Sequence, residues 1–175
     1  MIPAIETERL RLRGHELHDF DASAAMWADE NVTRFIGGKP STREDSWGRF
    51  LRYLGHWHVL GHGFWLIEDK ATGAFVGEGG FGNFKRELEP RIEAPEQGWA
   101  FSPAFHGKGY AREAMSAAIN WGEARFGRTD FICIIAPENR PSLALAAKLG
   151  YREYTRSVYK GEPTIMLRRS QRELQ

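Results

Sequence analysis

Residues 98–115 read GWAFSPAFHGKGYAREAM, and the reading of this stretch decides the fold. A β-like run, Gln97–Ser102, stops at Pro103. Gly107 and Gly109 then lead into Tyr110–Phe126, where Ala111, Ala114, Met115, Ala118 and Gly122 recur at helical spacing. A strand that turns through glycines into a helix presents unpaired backbone N–H groups at the positive end of the helix dipole, which favours phosphate. Glycine lets a ligand approach where a Cβ would obstruct it, and Lys108 adds a mobile positive charge. The competing reading is a plain tight turn ahead of a helix. Two other phosphate motifs fail. The nucleotide loop G-x-x-x-x-G-K-[ST] needs Ser or Thr where Gly109 stands, and the dinucleotide fingerprint G-x-G-x-x-G needs glycine where Arg112 stands.

Working outward, Leu10 and Leu12 alternate with Arg9, Arg11 and Arg13 as a half-buried strand. HELHDFDASAAMWADE, from His15 to Glu30, predicts one amphipathic helix with Leu17, Phe20, Ala24, Trp27 and Ala28 on its apolar side. After GGKP, Ser41 and Glu44 suggest a capping box for a second helix, in which Trp47, Phe50 and Trp57 read as core. Phe64–Ile67 and Phe75–Phe84 form a predicted hairpin turning at Thr72-Gly73. The second of these runs, VGEGGFGNF, is glycine-rich, so it either lines a ligand or meets backbone closely. KRELEPRIEAPE, residues 85–96, reads as an exposed loop long enough to bind something. FICIIA is a fully apolar strand, and ENRPSLALAAKLGY is a helix with Pro141 in its first turn and Gly150 as its C-terminal cap. Two β-rich stretches, 152–159 and 164–167, close a single mixed α/β (α+β) domain expected over residues 1–175.

Composition excludes several classes. Lys plus Arg number 24 against 23 Asp plus Glu, a net charge of +1, which argues against a nucleic acid or anionic membrane partner. The chain lacks both an apolar run long enough for a bilayer and the pattern of a secretion signal, so a cytoplasmic location is expected. Its single cysteine, Cys133, sits in the apolar FICIIA run and reads as a packed hydrophobe. His56, His58 and His62 have no Cys or clear carboxylate companion, so no metal is expected.

The loop and its surroundings resemble the GCN5-related N-acetyltransferase (GNAT) superfamily, in particular its RimJ/RimL-like branch. His106-Gly107-Lys108-Gly109-Tyr110-Ala111 is similar to that superfamily's Q/R-x-x-G-x-G/A loop except at the first position. Glu96 through Pro103 resembles the preceding strand, and Ala111-Arg112-Glu113-Ala114 the helix start. Asn139-Arg140-Pro141-Ser142 through Lys148-Leu149-Gly150-Tyr151 resembles the branch's N-x-x-S…KLGF segment, and Thr7 through Arg13 its opening strand. The resemblance implies a mostly antiparallel central sheet flanked by helices. Its fourth and fifth strands, here Gln97–Ser102 and FICIIA, splay to admit the pantetheine of acetyl-CoA. It also implies that Ala100, Phe101 and Ser102 line the thioester, that His106, Gly107, Lys108, Gly109, Tyr110 and Ala111 hold the pyrophosphate, and that Asn139 pairs with pantetheine amides. Capping of its own helix is the other reading of Asn139.

Acetyl transfer to an amine needs a base, carbonyl-polarising donors and an acid for the departing thiolate. Glu96 stands where several superfamily members place a carboxylate base, and it shares a strand face with Gly98 and Ala100. Glu78, among the glycines, is the second candidate for base or amine binding, facing a potentially open groove. The Tyr acid that many members carry seven residues after the Asn is Ala146 here, so Ser142, with a helix first-turn serine as its alternative reading, is the candidate acid. Tyr151 reads as core. Direct attack without a covalent enzyme intermediate is expected, because no activated nucleophile is evident. The acceptor is a protein N-terminus or a small amine such as a polyamine or aminoglycoside. A non-catalytic acyl-CoA-binding regulatory module is the alternative, and a homodimer is left open.

Overall fold

In the computed structural model, which describes residues 1–170, two adjacent residues of one strand define the layers. Glu78 and Gly79 point to opposite faces of the sheet, as neighbours in a strand must. The Glu78 carboxylate meets Ser23 and Trp27 of helix α1 (Phe20–Trp27), whereas a Cβ on Gly79 would press on Met115 of helix α4 (Tyr110–Phe126). Helices therefore cover both faces. Between them, β1 (Ile5–Glu6), β2 (Leu10–Arg13), β3 (Phe64–Asp69), β4 (Phe75–Gly82), β5 (Glu96–Phe101), β6 (Phe131–Ile135), β7 (Tyr151–Tyr159) and β8 (Glu162–Arg169) form one sheet, in the order β1-β2-β3-β4-β5-β6-β8-β7. Every neighbouring pair is antiparallel except β5 with β6. The remaining helices are α2 (Glu30–Thr33), α3 (Arg43–Leu60) and α5 (Arg140–Lys148). The expected mixed α/β class and mostly antiparallel sheet are thus present. Residues 171–175, the end of the expected domain, lie outside the described residues.

Small residues let α4 sit close on the sheet: Ala114, Met115 and Ala118 are fully buried. Beside them Trp57, Trp65 and Trp121 pack edge to face, with centroids 4.9 to 5.5 Å apart, each such pair contributing about 1 kcal/mol beyond area burial. The glycines of β4 let neighbouring groups approach closely, and Gly82 also borders the cavity described below. A Cβ at Gly77 would strike the Ala100 carbonyl, at Gly80 the Gly63 carbonyl, at Gly79 the Met115 methyl and at Gly82 the Phe84 ring. Gly79→Val is accordingly expected to cost roughly 1–3 kcal/mol by overpacking, read as a lower midpoint in urea unfolding with an unchanged slope.

Three local expectations need correction. The helix predicted over 15–30 is divided into a 3₁₀ turn (Leu17–Asp19), α1 and α2, because Asp19 turns back to accept from Arg13 and the Glu16 amide, and Asp29 caps α2 through the Asn31 amide. Leu17 is left exposed. The capping box of α3 is Thr42 with Asp45, one residue later than Ser41 with Glu44. Trp47 is 38% exposed and covers Phe20 and Phe50 from outside, while Phe50 and Trp57 are buried as expected.

Candidate active site

β5 and β6 share a single registered pair, Glu96 opposite Ile132. From there β5 follows β4 to Phe101, and β6 follows β8 to Ile135. Two parallel strands that touch only at their starts leave backbone N–H and C=O groups on their facing edges, which must find partners elsewhere. An extended chain bearing amides can supply them as an added strand would.

At the wide end, Pro103–Phe105 forms a 3₁₀ turn and the exposed residues 106–109 lead into α4. Gly107 (φ +72°) and Gly109 (φ +80°) are left-handed, the conformation for which glycine has no steric penalty, and Gly109 is the N-cap of α4. The first-turn amides of α4 have no intrahelical acceptors and open on this loop. Ala100 and Phe101 are buried and Ser102 is half-buried. His106 Nε2 lies 2.8 Å from the Phe101 carbonyl, which can only accept, so this ring nitrogen carries the proton and the side chain folds back on the strand end. Lys108 Nζ donates to the Ala104 carbonyl at 3.0 Å, and the Tyr110 hydroxyl donates to Asp69 at 3.3 Å. The loop therefore offers mainly its backbone.

Arg9, just ahead of β2, braces this loop, a role hidden by the alternating sequence pattern it belongs to. Its Nη1 donates to the Lys108 carbonyl at 3.0 Å, its Nε to Glu113 at 2.7 Å, and its guanidinium carbon lies 4.3 Å from the centre of the Tyr110 ring. Glu113 also accepts from the Thr7 hydroxyl and the Arg9 amide; burial pushes its carboxyl up, and these donors bring it below the ordinary value. The available signal was the pair of segments, Thr7–Arg13 and Ala111–Ala114, that carry the resemblance.

At the narrow end, Glu96 is 5% exposed and accepts from Arg86 through both oxygens, Nε at 2.9 and 3.0 Å and Nη2 at 2.8 Å. Burial pushes its carboxyl above the ordinary range, against the pull of Arg86. Together with the 82–95 loop, Glu96 lines a cavity of about 1,220 Å³. Glu78 does not face an open groove: it is fully buried opposite Ala100, with Ser23 Oγ at 2.5 Å, Trp27 Nε1 at 2.9 Å and His15 Nε2 at 3.1 Å. Burial pushes this carboxyl up as well, but its three partners draw it below the ordinary value.

Ser142 and Asn139 lie at the start of α5. The Asn139 side chain accepts from the Ser142 amide at 3.3 Å and caps the helix. Trp99 Nε1, on β5, donates to Ser142 Oγ at 3.3 Å. Because indole only donates, the serine hydroxyl keeps its own proton available. Trp99 alternates with Gly98 and Ala100, so Ser142 reaches β5 from the face opposite Glu96, while Glu78, registered with Ala100, lies on the Glu96 face and is closed off there by α1. Cys133 is buried, which pushes its thiol up and makes it a poor nucleophile. Tyr151 is buried and donates to Gln97 at 2.7 Å. Among the described residues, no group of three or more His, Cys, Asp or Glu is placed to hold a metal ion, and no helix is long and apolar enough to cross a membrane.

The family description "Acetyltransferase (GNAT) domain" matches residues 9–152. YnaD of Bacillus subtilis (strain 168), an uncharacterized N-acetyltransferase, is 30% identical over 148 residues, spanning 85% of this chain and 82% of that protein. The crystal structure of an acetyltransferase from Agrobacterium tumefaciens str. C58 superposes with a TM-score of 0.84 at 30% identity, covering 98% of this chain and 96% of that one. RimL, a ribosomal L7/L12 alpha-N-protein acetyltransferase in complex with coenzyme A, has a TM-score of 0.74 at 17% identity over 96% of this chain and 98% of that one, a likeness of fold alone. A parted strand pair above a glycine loop at a helix start is the architecture of a transferase that draws its acyl group from coenzyme A. More closely, this chain belongs to the GNAT acetyltransferase family. It is an N-acetyltransferase, and acetyl-CoA is its co-substrate. A purely non-catalytic module is therefore not the reading that family membership favours.

Proposed function

We propose that the protein moves acetyl directly from acetyl-CoA to a primary amine, on a protein N-terminus or a small molecule. The observation that carries this reading is the parting of β5 from β6 beyond Glu96 and Ile132, with the glycine loop at one end and the Glu96 cavity at the other. In the proposal, pantetheine lies along the free edge of β5 by Ala100, Phe101 and Ser102, and His106 through Ala111 hold the pyrophosphate with their amides. Asn139 reaches the pantetheine amides from the start of α5. The amine nitrogen attacks the thioester carbonyl, the C–N bond forms and the C–S bond breaks. Glu96, directly or through a water, takes the ammonium proton, and Ser142 Oγ–H protonates the departing thiolate and is restored from solvent.

Glu96 is favoured over Glu78 as base because it borders a cavity and burial raises its carboxyl toward the working pH, whereas Glu78 is enclosed by three partners and lowered. The RimJ/RimL-like branch, a cytoplasmic setting without nucleic acid or membrane partners, and a homodimer belong to the same proposal. The near-balanced charge and the Asn139–Ser142 segment support the first two. Glu96→Gln is expected to lower kcat about a hundredfold at neutral pH and to remove the acid limb of the pH–rate profile, with acetyl-CoA affinity unchanged by calorimetry. An unaltered profile would remove Glu96 as the base.

A further inference from the structure

Helix α3 carries arginines beside Tyr53, which stacks on Phe64, the ring that abuts Gly98 of β5. Arg49, Arg52 and Tyr53 lie at three- and four-residue spacing on α3 and so share one face. Arg49 is half-buried, its guanidinium carbon 3.8 Å from the centre of the Trp27 ring, and it donates to Ser41 Oγ at 3.3 Å, using one of its five donors. Arg52 lies over Phe84 at 5.4 Å, and Arg86 is over the same ring at 4.7 Å. Tyr53 is buried and stacked on Phe64 at 4.8 Å. Phe64 in turn meets Phe84 at 6.0 Å, so the rings of Tyr53, Phe64 and Phe84 and the guanidiniums of Arg52 and Arg86 meet at one place.

That place follows the strand of the proposed thioester. Along the Glu96, Gly98 and Ala100 face of β5, Arg86 binds Glu96, Phe64 abuts Gly98 and Trp27 packs with Ala100. The neighbouring carboxylates are already engaged: Glu78 with His15, Ser23 and Trp27, Glu96 with Arg86, and Asp45 in the α3 cap. Burial and the neighbouring Arg52 draw the Arg49 guanidinium below its usual value, against the opposing pull of Tyr53, Glu78 and Asp45.

We infer that the acceptor is an acidic primary amine, whose carboxylate or phosphate docks on the guanidiniums of Arg49 and Arg52. This rests on the N-acetyltransferase reading above. A guanidinium seated over an indole ring keeps its remaining N–H donors free to take carboxylate or phosphate oxygens in pairs. The same charges repel polyamines and aminoglycosides, which separates two acceptor classes that the sequence left open.

The experiment compares thiol release from acetyl-CoA with matched amines: β-alanine against β-alaninamide, phosphoethanolamine against ethanolamine, and spermidine. The acids are expected to exceed their neutral partners at least about tenfold in kcat/KM, with spermidine the poorest, and the favoured acid identifies carboxylate or phosphate as the source. In Arg49→Gln/Arg52→Gln the ratio is expected to fall to about twofold or less with acetyl-CoA affinity retained, and Arg49→Lys to restore it only in part. Neutral amines or spermidine matching the acids, or a ratio that survives the double substitution, would overturn the inference. If no amine turns over while acetyl-CoA binds, the transferase reading fails by itself. The anion site is then judged by inorganic phosphate titration of indole fluorescence, because Arg49 lies on Trp27. A saturable change in the native protein, absent from the double variant, sustains the site, and its absence from the native protein refutes it.

Discussion

Gly109→Asp is expected to abolish acetyl-CoA binding. Position 109 has φ +80°, where aspartate is strained by about 1 kcal/mol, and it caps the helix whose first-turn amides face the proposed pyrophosphate. A carboxylate about 5 Å from each phosphate charge adds repulsion of about 3 kcal/mol per charge at the effective dielectric of a protein surface. The loss should therefore exceed about a hundredfold in Kd by calorimetric titration. A Cβ at this position would also lie 3.4 Å from Arg9 Nη2, so the new carboxylate can draw Arg9 from the Lys108 carbonyl it braces. Gly109→Asn has similar shape without the charge and should lose far less. Equal, small losses in both variants would move the phosphate away from this loop, and coenzyme A should follow acetyl-CoA in every case, whereas NADH should bind none of the proteins.

Glu78→Gln should cost about 3 kcal/mol of folding stability. The carboxylate accepts from Ser23 and Trp27 and sits against His15 with no exposed surface, while Nδ1 of His15 already lacks a partner among the described residues. With its oxygen toward Trp27, glutamine can donate to Ser23 Oγ, so what is lost is the charge on the acceptor, which strengthens each of these buried hydrogen bonds. The pH dependence has a definite sign. Because the folded-state carboxyl of Glu78 is held below its unfolded value, its contribution is fully present above the unfolded carboxylate pKa and is lost as pH falls through the folded one. Denaturant midpoints followed from neutral to acid pH should fall less in the variant than in the native protein. Parallel acid slopes would mean that Glu78 titrates alike in both states.

Most of the secondary structure was legible because its causes are local. Alternation marked β2, three-and-four spacing marked α3 and α4, and Gly150 (φ +92°) marked the end of α5. The glycine loop was legible for the same reason, since positive φ at Gly107 and Gly109 is a demand that a few consecutive residues make by themselves. Other readings failed where a distant partner decides. Glu78 looks open to a groove until α1 and the His15 segment close over it, and the close approach that the β4 glycines permit has no visible partner until packing brings Ala100, Gly63, Met115 and Phe84 there. Arg9 looks like a solvent-facing strand residue until Glu113, more than a hundred residues away, reaches it.

The amino-acid sequence by itself determined a mixed α/β chain with a glycine loop at the start of a helix, because periodicity and turn chemistry are properties of short segments, and its resemblance to the GNAT superfamily added the acetyl transfer. Only the tertiary structure decided which carboxylate is enclosed and which borders a cavity, where β5 leaves β6, and that Arg52 and Arg86 share the Phe84 ring while Arg49 lies on Trp27. These depend on burial and on contacts between residues far apart in the chain. Burial and long-range contact set the charge state and reach of a side chain, and neither exists until the helices have packed on the sheet.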